Sequence, residues 1–302
     1  MSLRPPRDGD VPRINALFNV VSNELHDAND SSEGEVQNWL DTPSVDPERD
    51  VRLADGPDGE LAGYADVYVE EEVDRAWFDL RLHPSHGNER LVGALIDWIE
   101  ERVGSEPTTR GWISSKAALP KAVLDARGYK LVRHSYRMVL DLDGEPTEPR
   151  WPEGIVVRTM QSGEERRLYE VDDECFADHW EHATVPFEEW KHWLIDREEF
   201  DPSLWFVAAD GDEIAGYAFC RRHDADPELG WVDNLGVRRP WRRRGLAKAL
   251  LHHAFAEFRG RGFARVGLGV DAQSLTGANK LYESVGMRVA RSWDVYERQS
   301  AR

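Results

Sequence analysis

In the second half of the chain the apolar positions switch between strand and helix periods. Residues 155–158 predict a strand, and Ser162 with Glu165 three residues on predicts a capped helix start. A second helix is expected over residues 186–195. Residues 204–208 and Glu213–Arg222 are apolar strand runs joined by Asp210-Gly211-Asp212, a hairpin signal. Residues 230–237 form the next strand. Leu246, Ala249, Leu250, Phe255 and Phe258 then fall on one face of a helix. Residues 264–270 return to strand, Ala278, Leu281 and Val285 mark a short helix, and residues 288–296 are expected to close the sheet. Hairpin strands followed by strands alternating with helices predict a mixed α/β sheet.

The two halves repeat one another. Gly59-Glu60-Leu61-Ala62-Gly63-Tyr64-Ala65 returns as Asp212-Glu213-Ile214-Ala215-Gly216-Tyr217-Ala218. Gly93-Ala94-Leu95-Ile96 returns as Lys248-Ala249-Leu250-Leu251, and Arg127-Gly128-Tyr129 as Val285-Gly286-Met287. The offsets are 153, 155 and 158, so the order holds across most of each half. A period this long signals a duplicated domain, not a solenoid, whose repeats run to about 20–50 residues. Residues 141–152 carry three prolines and a glycine, which suit neither a helix nor a central strand. The expected organisation is therefore a domain over residues 1–143, a linker over 144–153 and a second domain over 154–302.

Composition narrows the partners. Lys and Arg total 38 against 57 Asp and Glu, a formal charge of −19. The first 150 residues carry 17 basic and 30 acidic side chains, the remainder 21 and 27. So acidic a surface repels phosphate backbones, and nucleic acid is not expected as a partner. No apolar run approaches the ~18 residues of a membrane span, and residues 1–6 lack a hydrophobic leader, so a cytoplasmic location is expected. Cys175 and Cys220 read as two buried free thiols.

Against this acidic background stands Arg238-Arg239-Pro240-Trp241-Arg242-Arg243-Arg244-Gly245-Leu246-Ala247, between a strand and an amphipathic helix. A helix start offers unsatisfied N–H groups and the positive end of a dipole, where acids belong. Three arginines there become favourable when a polyanion binds. Gly245 removes a Cβ where an oxygen must approach backbone N–H groups, and Ala247 keeps the next turn open. The segment is not a Walker loop, since no Gly-Lys-Ser/Thr follows. Gly267-Leu268-Gly269-Val270-Asp271-Ala272 has dinucleotide-binding spacing, but both glycines lie within a strand.

Arg242-x-x-Gly245-x-Ala247 after Leu235-Gly236-Val237 resembles the acetyl-CoA motif of the GNAT (Gcn5-related) N-acetyltransferases. Asn279-Lys280-Leu281-Tyr282-Glu283-Ser284-Val285-Gly286-Met287 resembles that family's closing motif, and the duplicated layout resembles tandem GNAT proteins of the mycothiol-synthase type. The resemblance implies two tandem domains, each a mixed, mostly antiparallel sheet flanked by helices, with catalysis in the second. It implies that Leu235, Gly236 and Val237 meet the pantetheine arm, while Arg242, Arg243, Arg244, Gly245, Leu246, Ala247 and Lys248 cradle the pyrophosphate. Tyr282 takes the place of the family's general acid, and Ser274 that of its Asn before the last helix. Where relatives carry a Glu base this chain has Trp231; Asp233, two residues on, is the expected substitute.

The same register puts Glu89 where Arg244 stands, Arg90 where Gly245 stands, Val92 where Ala247 stands and Leu124 where Tyr282 stands. The first domain is thus expected to keep the fold and lose acetyl-CoA. The resemblance implies that the acceptor enters near Ala177-Asp178-His179-Trp180-Glu181-His182-Ala183-Thr184, whose acids and aromatics suit a small cationic amine. No metal is expected, and the oligomer is read as a monomer or homodimer. Two other readings stand beside this one: an acyl-CoA-binding sensor without turnover, and mycothiol synthase, whose acceptor is a cysteinyl glycoside.

Overall fold

The computed structural model describes residues 2–105 and 107–299. The chain forms two compact units, one running to Ser135 and resuming at Ser292, the other Tyr136–Arg291.

The first unit contains β1 (Leu3–Arg4), α1 (Val11–His26), α2 (Glu33–Leu40), α3 (Pro47–Asp50), β2 (Val51–Asp55), β3 (Leu61–Glu70), β4 (Arg75–Leu82), α4 (Glu89–Val103), β5 (Thr108–Ser114) and α5 (Ala118–Ala126). β6 (Lys130–Asp141) then carries the chain into the second unit. Leu91, Val92, Leu95, Ile96 and Ile99 make one buried stripe of α4 and pack on Ala65, Val67, Phe78 and Leu80 of the sheet. The opposite face is covered by Ile14 and Leu17 of α1 and Val36 and Leu40 of α2. Emptying a site such as Leu95, fully buried here, costs about 2–5 kcal/mol on truncation to Ala.

The second unit contains β7 (Ile155–Thr159), α6 (Glu165–Phe176), α7 (Phe187–Leu194), β8 (Trp205–Asp210), β9 (Glu213–Arg222), β10 (Leu229–Val237), α8 (Leu246–Gly260), β11 (Arg265–Asp271) and α9 (Ala278–Ser284). α8 lays Leu246, Leu250, Leu251, Ala254, Phe255 and Phe258 on one face of the sheet, with α9 beside it. α6 and α7 cover the other face through Leu168, Val171, Cys175 and Trp190, against Trp205, Tyr217 and Phe219. Both cysteines are free and buried.

The strand order is β1-β2-β3-β4-β5-β12 in the first unit and β6-β11-β10-β9-β8-β7 in the second. β12 (Arg288–Arg298) is the last strand of the chain. Its part from Trp293 to Arg298 pairs antiparallel with β5 in the first unit, whereas residues 288–296 were expected to close the second sheet. The side chains explain this. Tyr296 enters the first core beside Tyr129, and Glu297 forms a buried ion pair with Arg110 at 2.6 Å. In return β6 lies next to β11, with Met138 in the core under α8. The units therefore do not follow the expected 144–153 boundary, because each sheet is completed by a strand from the other half of the sequence. Ser162 does not cap α6 either: Gly163 turns at φ 87° and the helix begins at Glu165. The Glu164 carboxylate instead accepts from Gln161 N–H (2.8 Å) and pairs with Arg158.

Candidate functional site

Within the second sheet, β10 pairs in parallel with β11 only from Leu229 to Val232, opposite Arg265 to Leu268. Beyond that the two strands part. On the other side β10 stays paired with β9 as far as Val237, through a bulge between Val232 and Asn234. Arg238 N–H bonds Ala215 O at 3.0 Å, which fixes the alternation. Gly236 turns its backbone groups toward β9, and Leu235 and Val237 turn theirs into the gap left by β11. Gly236 has no substitute here, since a Cβ on it would lie 2.3 Å from the Tyr217 ring.

The bulge also aims side chains. Strict alternation puts Asp233 and Asn234 on opposite faces, yet both bond partners on the α6 face or its rim. Asp233 pairs with Arg221 at 2.9 Å, and Arg221 pairs in turn with Asp224 at 3.0 Å. Burial raises the Asp233 carboxyl above its ordinary pKa. Asn234 Nδ2 donates to both oxygens of Asp172 at 3.0 Å. Asp172, buried on α6, also accepts from Trp190 Nε1 (2.7 Å) and from the Tyr217 hydroxyl. This knot beneath the strand was not anticipated; Asp172 reads in the sequence as one more acid in an acidic helix, and only the bulge brings Asn234 to it.

After β10 the chain makes the arginine turn. Its guanidinium groups divide into two sets. Arg238 bonds Glu174 at 2.8 Å and Glu213 at 2.9 Å. Arg239 and Arg242 each reach Asp178 at 2.5 Å, and Arg242 also donates to Val237 O at 2.8 Å. Arg243 and Arg244 stand exposed, Arg244 making one 3.3 Å bond to Glu153 O and Arg243 holding φ 61°. Exposed Lys248 lies in the first turn of α8 and reaches Ser284 O at 3.3 Å. Gly245 is the N-cap of α8 at φ 85°, with no side-chain cap and nothing within 4 Å of where a Cβ would stand. Leu246 is buried and Ala247 half-buried. The first turn of α8 thus has no acidic residue, and its N–H groups stand beside Arg243, Arg244 and Lys248.

Tyr282 sits on α9 in the core under α8, 8% exposed, and burial pushes its hydroxyl up to about 12. It is a phenol held protonated at neutral pH. Ser274 is half-buried and shares a hydrogen bond with the Thr276 hydroxyl at 3.0 Å, while Asn279 donates to Asp271 O and Ala272 O and so closes the turn before α9. Of the segment expected to face an acceptor, Asp178 is committed to the arginine turn. Its carboxyl is held well below the usual range by Arg239 and Arg242. His179 packs on Phe176 with ring centres 4.3 Å apart, and His182 bonds Asp173 at 2.8 Å. Trp180 is half-buried and Glu181 exposed at φ 48°.

The first unit repeats the parted strands, since β4 and β5 pair only up to Asp79 and Trp112. The rest differs. Leu80 pairs with Ala65 as Leu235 does with Ala218, but its N–H is taken by the Asp79 carboxylate at 2.7 Å. Among the described residues one trio of metal-ligand side chains comes together, Glu60, His83 and His86, in this unit. Ser85 N–H donates to His83 Nδ1 at 3.1 Å, which leaves the hydrogen on Nε2 facing Glu60. His83 is therefore arranged as a donor and not as a ligand. No helix among the described residues is long and apolar enough to cross a membrane.

Residues 166–287 match the model of the acetyltransferase (GNAT) family. The mycothiol acetyltransferase of Geodermatophilus obscurus is 33% identical over 246 residues, covering 79% of this chain and 78% of that protein. That of Saccharopolyspora erythraea is 32% identical over 251 residues, covering 78% and 80%. Among solved structures, a GCN5-related N-acetyltransferase from Sphaerobacter thermophilus superposes with a TM-score of 0.80 at 32% identity, over 98% of this chain and 95% of that one. A tandem GNAT protein from the clavulanic acid biosynthesis pathway shares the fold at 14% identity, with a TM-score of 0.75 over 100% and 99% of the two chains.

Proposed function

The chain belongs to the acetyltransferase (GNAT) family and is an N-acetyltransferase, and from that premise we propose that its second unit alone transfers acetyl from acetyl-CoA to the primary amine of a small cationic acceptor. The observation that carries this reading is the uncapped start of α8 at Gly245, flanked by the exposed Arg243, Arg244 and Lys248. Backbone N–H groups, a helix dipole and three cations suit a diphosphate, and the space above Gly245 lets its oxygens approach the backbone. Leu235 and Val237 supply the strand-edge groups for the amides of the pantetheine arm. Acetyl-CoA brings an activated thioester, and the remaining work falls to side chains and backbone.

The Leu235 N–H, turned away from β9, is assigned to stabilise charge on the acyl oxygen. Tyr282, protonated at neutral pH, is assigned to protonate the leaving thiolate. Asp233 is assigned to accept the ammonium proton; its raised carboxyl pKa moves it toward the range a base needs, and Arg221 orients it. The acceptor is placed against residues 177–184, where Trp180 and Glu181 suit a cation.

The test is direct. Calorimetry with coenzyme A should find one equivalent per chain, abolished by charge reversal at Arg243 and Arg244. Free thiol should then be released with a member of a primary-amine panel. Coenzyme A binding with no turnover on any amine would favour a sensor; no binding at all would overturn the proposal. The identity of the relatives favours a second reading of the acceptor, mycothiol synthase activity. Including the cysteinyl glycoside acceptor in the panel separates the two.

A further inference from the structure

Three of the five arginines between Arg238 and Arg244 do not face solvent as free cations. They are pulled back onto the end of α6. Arg238 meets Glu174, and Arg239 and Arg242 both converge on Asp178, just past the last turn of that helix. Arg242 uses its whole fork within the protein. Its Nε donates to Val237 O at 2.8 Å, one Nη to Asp178 at 2.5 Å and the other to Cys175 O at 3.4 Å. A planar guanidinium with three acceptors around it fixes direction as well as distance. One end of that fork grips the last residue of β10, the strand that ends in the gap, and the other grips the α6 terminus. Between Arg242 and α8 lie only Arg243 and Arg244, exposed, and Gly245. Both Arg243, at φ 61°, and Gly245, at φ 85°, hold left-handed backbone. Such a conformation at a non-glycine residue persists only where its surroundings impose it.

We propose that Asp178 is a positioning residue for donor binding: it anchors Arg239 and Arg242 so that the turn presents Arg243, Arg244 and the first N–H groups of α8 to a diphosphate. This rests on the reading that the turn binds the donor's diphosphate. It divides the arginine motif by role, with Arg242 holding the turn and Arg243 and Arg244 meeting the anion.

The sign of one substitution decides the matter. Asp178 is a negative charge beside a site for a dianion. If charge alone counted, Asp178→Asn would tighten coenzyme A binding. A positioning role requires the opposite. In calorimetry with coenzyme A, Asp178→Asn is expected to weaken binding about tenfold, and Asp178→Glu to recover part of the loss. With acetyl-CoA and an active amine, KM for acetyl-CoA should rise with kcat within about twofold. Arg242→Gln should weaken binding similarly, and the double variant Asp178→Asn/Arg242→Gln should be no worse than either alone, since both remove one anchor. By contrast Asp178→Asn/Arg244→Ala should multiply the two losses. Asp178→Asn binding as tightly as the wild type or more tightly, or losses at Asp178 and Arg242 that multiply, would overturn the inference. Failure of the unmodified chain to bind coenzyme A would instead sink the donor reading on which it rests, and the two failures appear in different samples.

Discussion

The helices α4 and α8 follow the same strand in the two repeats, yet they begin in opposite ways. α4 starts at Glu89 under Asn88, whose side chain accepts from Leu91 N–H at 3.1 Å, with an acid in the first turn. That arrangement satisfies an orphan N–H and the helix dipole, and such a cap stabilises by about 0.5–2 kcal/mol. α8 starts at Leu246 under Gly245, with no side-chain cap and no acid. It forgoes that stabilisation and leaves the N–H groups to an external anion. The parted strands show the same contrast, the N–H of Leu80 being closed by Asp79 while Leu235 opens into a gap. One fold thus serves twice, and what separates a binding unit from a supporting one is whether the chain satisfies its own backbone at two places.

The largest effect expected from breaking this contrast is at the acid. Tyr282 stands where the first repeat has Leu124, buried and without a hydroxyl. Tyr282→Phe should lower kcat by about 10²–10³ while leaving coenzyme A affinity within twofold, the signature of an interaction made in the transition state. Stopped-flow detection of thiol release, set beside calorimetry, separates the two; an unchanged kcat would remove Tyr282 from the acid role. Asp233→Asn should likewise lower kcat and abolish the acid limb of the pH profile. Survival of that limb would leave Asp233 as a partner of Arg221 only.

Next in size is Gly245→Asp. It gives α8 an acid at its start, like that of the first repeat. Coenzyme A affinity should fall about 100-fold or more. The loss of left-handed freedom costs about 1 kcal/mol, offset in part by the new charge at the helix dipole. A melting temperature within a few degrees of wild type, with binding gone, is the expected pair of results. Full binding would show that the helix start is not where the diphosphate sits.

How much of this was legible in the sequence depends on range. The element order of the second half was readable because hydrophobic period is local, and the Arg-Gly turn because a basic run is conspicuous in a chain of net charge −19. The destination of β12 was not. Its alternation marks a strand, but the burial of Tyr296 in the first core and the Arg110–Glu297 pair join residues 187 positions apart. The bulge at Asp233 was equally hidden, since an extra residue in a strand leaves no mark in the pattern and shifts every later side chain to the other face. The division of the arginines was lost for the same reason. Five guanidiniums within seven residues look alike until Glu174 and Asp178, more than 60 residues away, claim three of them.

A smaller effect comes from grafting. Asn88→Gly with Glu89→Arg removes the cap and the acid from α4, imitating α8. Stoichiometry in calorimetry should still stay at one coenzyme A, because Asp79 continues to occupy Leu80 N–H. A second equivalent would mean that the helix start alone decides binding, and would reduce the contrast to a single feature.

The smallest effect concerns the buried carboxylates beneath the two strands. Three side-chain donors converge on Asp172 in the second unit. Asp66 in the first receives the Tyr64 hydroxyl at 2.6 Å and Asp79 N–H at 3.0 Å. Burial, reinforced by the Asp79 charge, pushes its carboxyl up to about 7. An unfolded Asp titrates near 3.9. Between roughly pH 4 and 7 the folded chain therefore holds a proton that the unfolded chain has released. Stability contributed by this group falls as pH rises through that window, by at most about 1.4 kcal/mol per pH unit, and levels off above it. Asp66→Asn keeps the shape without the proton. It should flatten the fall in melting temperature between pH 5 and 7 and change little at pH 4, whereas parallel profiles for the two proteins would show Asp66 to be ionised in the folded chain throughout.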